Sequence, residues 1–127
     1  MRKALRVLLA VAMVAIGILH FVVPAPFAAI VPAYLPAPVT LVLVSGFFEV
    51  LGGVGLLVPR VRRAASYGLV ALYVAVFPAN LNMAIHHIEP TGQHLSAVGL
   101  WLRLPFQLVL IGLALWVGRE DRVAPAA

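Results

Sequence analysis

Cysteine is absent from this chain and charge is scarce, with Cys 0 and 10% charged residues among 127. Without a thiol there is no disulfide, no thiol redox relay, no iron–sulfur ligation and no covalently attached c-type haem. Any redox chemistry would have to use a bound cofactor or a quinone-like substrate. The lack of charge excludes a second class. A soluble domain carries about 25% charged residues to cover its surface, and a monomer of this length leaves a large share of its chain at that surface. A soluble monomer is therefore excluded. Disorder is excluded as well, because it requires low hydrophobicity and this chain is 64% hydrophobic. The length is short for two domains.

What the chain does contain is a set of long apolar runs punctuated by arginine. The formal net charge is +5, yet Arg2, Lys3, Arg6, Arg60, Arg62, Arg63, Arg119 and Arg122 flank apolar stretches instead of lining one face of a polar fold, as they would in a nucleic-acid binder. No nucleic-acid partner is expected; the partner is a lipid bilayer. A membrane helix needs about 20 predominantly apolar residues. Four stretches meet or nearly meet this, about Leu5–Val23, Val39–Val58, Ala64–Ile85 and Ala97–Val117. With short connections, the expected fold is all-α, an integral membrane four-helix bundle in up-down-up-down order within a single domain.

Both termini, and the connection holding Arg60, Arg62 and Arg63, are expected in the cytoplasm. The other two connections, Pro24–Pro38 and about His86–Ser96, contain no Lys or Arg. Trp101 and Trp116 stand near the two ends of span four, as interfacial anchors do. The start of the chain also fits a secretory signal peptide, but no clean small-x-small site follows on a polar segment, so it is read as a retained first span in the cytoplasmic membrane. The first outer connection, Pro24–Pro38, is rich in proline and uncharged. Proline disfavours a long helix, and an uncharged apolar segment is expected to fold back as a short interfacial piece over the outer mouth of the bundle.

The informative residues are the polar ones inside the spans, which the bilayer penalises by about 2.5–3.5 kcal/mol for a charge at helix centre. Glu49 stands near the middle of span two, on one stripe with Ser45 and Gly53. Arg103 lies roughly 10 Å inside the outer end of span four, with Gln107 one turn on and Pro105 between them. The backbone depths of Glu49 and Arg103 differ by about 6 Å, so a Glu49–Arg103 pair is expected, direct or through Gln107 or water. Asn80 of span three, on a stripe with Tyr73 and Phe77, and His20 of span one reach the same level. Ser45 and Asn82 taken singly are polar groups of the kind that only fix helix packing. A buried ion pair is weak evidence for stability, so the converging set tilts toward function.

The segment His86-His87-Ile88-Glu89-Pro90-Thr91-Gly92-Gln93-His94 holds three of the four histidines. Haem b between His20 and His86 or His87 is one option, against the plainer reading of a solvated loop; no metal site is assigned.

The strings Gly17-Ile-Leu-His20-Phe21, Ile30-Val-Pro-Ala-Tyr-Leu-Pro36, Ser45-Gly-Phe-Phe-Glu49, Val76-Phe-Pro-Ala-Asn80 and Leu100-Trp-Leu-Arg-Leu-Pro-Phe-Gln107 together resemble the DoxX-like family of small four-span membrane proteins. The resemblance covers nearly the whole chain and implies a four-helix membrane bundle with redox- or quinone-linked biology. It places His20, Glu49, Asn80, Arg103 and Gln107 in the family's motif strings. The expected function is binding of a quinone-like or other lipophilic small molecule in the outer half of the bundle. Glu49, Arg103 and His20 would act as reactive groups, with Ser45, Asn80 and Gln107 as ligand contacts. Two alternatives stand beside it: a non-enzymatic anchor that docks a soluble oxidoreductase through Arg60-Val-Arg-Arg63, and an isomerase acting on an isoprenoid-like lipid. A homo-oligomer is compatible with each.

Overall fold

A computed structural model describes residues 1–89, 94 and 96–121. They form five α-helices: α1 (Arg2–Val22), α2 (Pro24–Ala28), α3 (Pro38–Leu57), α4 (Arg62–Ile85) and α5 (Ala97–Val117). All but α2 are long and apolar enough to cross a membrane. They match the four expected spans, with no end displaced by more than three residues. The chain is all-α, and among the described residues there is no strand.

Local chemistry sets the helix ends. Pro24 cannot continue the α1 ladder and stands at the first turn of α2, and Pro38 opens α3 in the same way. Ala37, before Pro38, takes the left-handed conformation at φ 48, one that residues with a Cβ adopt rarely. Ser96 caps α5, its Oγ accepting from the Gly99 N–H at 3.1 Å. At the end of α4, His87 turns left-handed at φ 48 and the Ile88 N–H returns to the Met83 carbonyl at 3.0 Å. That turn is a Schellman closure, and it lays Ile88 on the small cluster of Met83, Ala84 and Leu100.

Helix α1 packs on α3, α3 on α4, α4 on α5, and α5 returns to α1. Residues pair in opposite numerical order: Ala10 backs Gly53, while Gly17 backs Gly46 and Val50. The α1–α3 crossing needs glycine. A Cβ on Gly46 would stand 2.5 Å from the His20 Cβ and 2.8 Å from the Gly17 carbonyl oxygen, well inside the 3.5–4.0 Å of ordinary contact. Beyond the crossing, Leu9, Ala10, Met13, Leu56, Leu69, Tyr73, Ala114 and Val117 make the larger core cluster. Ser66 ties α4 to α5 within it, its Oγ donating to the Ala114 carbonyl at 2.7 Å. Apolar side chains such as Leu8, Val74 and Leu108 on three of the long helices are exposed, a surface suited to acyl chains and not to water.

At the end of the bundle that carries both described termini, three arginines do structural work. Arg6 Nε donates to the Val117 carbonyl at 2.8 Å and Arg62 Nε to the Leu56 carbonyl at 2.9 Å. Each guanidinium thus serves an orphan carbonyl at the C-terminus of a neighbouring helix, the end its charge favours. Arg2, Arg6 and Arg62 also converge on the Asp121 carboxylate at 3.0, 3.1 and 3.4 Å. Hydrogen bonding from Arg6, ahead of that from Arg2, holds this carboxyl well below the usual carboxylate range. Arg62 is buried and committed to Leu56 and Asp121, so the expectation that Arg60, Arg62 and Arg63 form one docking patch is corrected: Arg62 faces inward while Arg60 and Arg63 remain exposed.

Candidate functional site

A cavity of about 580 Å³ lies within the bundle, walled by α1, α3, α4, α5 and the segment after α1. Its lining is mostly aliphatic and aromatic, with Met13 and Tyr73 shared with the larger core cluster. Phe27, Ile30, Val31, Pro32 and Leu35 bring the segment after α1 into the wall. Asn82 holds that segment in place, its Nδ2 donating to the Ile30 carbonyl at 3.0 Å.

Six polar residues singled out from the sequence, His20, Ser45, Glu49, Asn80, Arg103 and Gln107, all line this one cavity. Their arrangement differs from the expected one in its central pair. Glu49 is 8% exposed, and its neighbour is His20, with Nδ1 3.2 Å from Oε2. Arg103, also on the wall, is exposed and makes no ion pair among the described residues. The expected direct Glu49–Arg103 contact is therefore corrected: both side chains line the cavity, but no ion pair joins them. Gln107 does not bridge the two either. It is 4% exposed and spends its amide on α4, accepting from Asn80 Nδ2 at 2.8 Å and donating to the Tyr73 carbonyl.

The His20–Glu49 geometry has a further consequence. His20 Nδ1 is also 2.8 Å from the Ile16 carbonyl oxygen, which can only accept, so the single Nδ1–H is directed there. Glu49 Oε2 then receives a nearby ring but no hydrogen bond, and it stands as a buried acceptor without a donor. Such an atom costs about 1–3 kcal/mol unless something supplies the missing bond. The His20 ring is itself fixed by stacking on Phe27, with centroids 3.9 Å apart and planes at 20°. Tyr73, whose hydroxyl donates to Met13 Sδ at 3.0 Å, closes the wall toward the core.

Sequence reasoning set His20 and Glu49 at one level but missed their direct contact and the stacking of Phe27 on His20. One signal was available. Gly17-x-x-His20 and Gly46-x-x-Glu49 each set a glycine one turn before the polar residue, and two such glycines at one crossing draw their polar neighbours together.

The remaining histidines do not join this site. His86 and His87 are exposed and do not line the cavity with His20. His86 Nδ1 lies by the Asn82 carbonyl at 3.2 Å, and Glu89 sits between His87 at 3.3 Å and His94 at 3.4 Å. Residues 90–93 and 95 of that segment, and the flanking charge at position 122, lie outside the described residues. No group of three or more metal-ligating side chains is present among the described residues.

No match to this chain was found among curated proteins or among solved structures. A family model does match, over residues 9–118, a stretch that includes every polar residue of the cavity wall. The chain belongs to the family described as a domain of unknown function, DUF8561.

Proposed function

We propose that this protein binds a lipophilic small molecule carrying a ring carbonyl or hydroxyl, of the quinone or quinol class, in the cavity of its membrane bundle. The observation that carries this reading is the undonated Glu49 Oε2 in an otherwise apolar wall. A hydroxyl on the guest would supply its missing hydrogen bond, and the Arg103 guanidinium, also on the wall, would donate to a carbonyl oxygen elsewhere on the ring. Glu49 is then placed to exchange a proton with the guest, with His20 beside it. The volume of about 580 Å³ falls in the range of small-molecule sites, roughly 300–1,000 Å³. The resemblance to DoxX-like proteins supports the same class of ligand and a link to redox or oxidative-stress metabolism.

In this reading the four long helices cross the cytoplasmic membrane in up-down-up-down order with both termini cytoplasmic. The arginine end sits at the inner interface and the proline-rich segment lies over the outer mouth. The test is calorimetric titration of the purified protein in detergent micelles with a short-chain quinone and its quinol. Glu49→Gln and Arg103→Ala should each weaken binding by about 10-fold or more, the worth of one hydrogen bond to a charged group. Unchanged affinity in both variants overturns the proposal.

A further inference from the structure

A second cavity, of about 460 Å³, opens between α4 and α5 at the arginine end. We propose that it binds the phosphodiester of an anionic phospholipid, with the acyl chains running along the outer face of α4 and α5. This site is separate from the ligand cavity and does not rest on its assignment.

The cations of this end divide into two groups. Arg2, Arg6 and Arg62 are spent on Asp121 and on helix-end carbonyls. Arg63 and Arg119 line the cleft instead, and neither makes an ion pair among the described residues. Asp121 is already shared by three other guanidiniums. Arg63 is pre-positioned: its Nε donates to the Tyr67 hydroxyl at 3.3 Å and its guanidinium carbon lies 5.9 Å from the Tyr67 ring centroid. Restraint of that kind lowers the entropy lost when an anion is gripped. Glu120 also lines the cleft, so two positive charges face one negative charge. The excess of one suits a singly charged phosphodiester better than a zwitterionic headgroup.

Position supplies the rest. Arg63 is in the first turn of α4 and Arg119 follows the last turn of α5, which puts both at headgroup level if the helices span. Tyr67 and Leu115, exposed beside them, offer the apolar surface on which an acyl chain lies. Basic clefts between membrane helices are the places where anionic headgroups settle.

Native mass spectrometry of the protein released from detergent, titrated with phosphatidylglycerol, tests this. Phosphatidylcholine and glycerol phosphate serve as the competing ligands. Phosphatidylglycerol should bind at least about 5-fold tighter than phosphatidylcholine. The double variant Arg63→Gln/Arg119→Gln should lose about 30-fold, at the usual worth of a basic residue near an anionic surface. Arg60→Gln, whose side chain is exposed and outside the cleft, should change nothing. Glu120→Gln should bind more tightly, by about 5-fold, a direction that misfolding does not imitate. Equal affinity in the double variant and the parent overturns the proposal. Competition by glycerol phosphate at the lipid's own concentration overturns the lipid assignment in favour of a free phosphate ester.

Discussion

Replacing Gly46 with alanine isolates the closest approach in the bundle. The added Cβ would lie 2.5 Å from the His20 Cβ and 2.8 Å from the Gly17 carbonyl oxygen. Carbon contacts are comfortable at about 3.5–4.0 Å, so α1 and α3 must part by roughly 1 Å or the His20 backbone must shift. Overpacking of this kind costs about 1–3 kcal/mol. Alanine in a helix interior is better than glycine by about 1 kcal/mol, which offsets part of that cost. Gly68→Ala provides the correction, because Gly68 is exposed in α4 and a Cβ there meets nothing within 4 Å. The propensity gain is common to both variants, so Gly46→Ala should be less stable than Gly68→Ala by about 1–3 kcal/mol. Reversible unfolding by sodium dodecyl sulfate in mixed micelles, followed by far-ultraviolet circular dichroism, measures the difference. The same shift should loosen His20 from Glu49, so Gly46→Ala should also weaken quinone binding while Gly68→Ala leaves it unchanged. Equal stability in the two variants would refute the account of the crossing.

Two further outcomes follow from the polar contacts. The Asn80–Gln107 bond should show a coupling of about 0.6 kcal/mol, and no more than about 1.7, in a double-mutant cycle with Asn80→Leu and Gln107→Leu, the range found for hydrogen bonds between membrane helices; zero coupling would mean the bond is incidental. Asp121 is held below its ordinary proton affinity by Arg6 first and then Arg2, so its contribution is present above the unfolded value of about 3.9 and is lost as the pH falls below it. Unfolding midpoints measured from about pH 6 down to about pH 3 should therefore fall more steeply for the parent than for Asp121→Asn. Parallel curves would remove Asp121 from the account of that end.

Much of this architecture is legible in single residues. The four long helices follow from apolar length against the needs of a bilayer, and their ends from Pro24, Pro38 and Ser96, whose chemistry is local. Depth along a helix is also local, at about 1.5 Å per residue, which is why six polar residues on four helices could be placed at one level and do share one cavity wall. Depth says nothing of azimuth between helices. Which side chains meet across the bundle depends on how near each pair of backbones comes, and that distance is set by Gly17 against Gly46. The crossing brings His20 to Glu49 and leaves Arg103 on the same cavity wall without an ion pair to it, a choice that no spacing within one helix encodes. The arginines divide for the same reason. A basic residue after an apolar run reads as a flank wherever it stands, but only the neighbouring helix ends make Arg6 and Arg62 into caps for α5 and α3 and leave Arg63 facing a cleft.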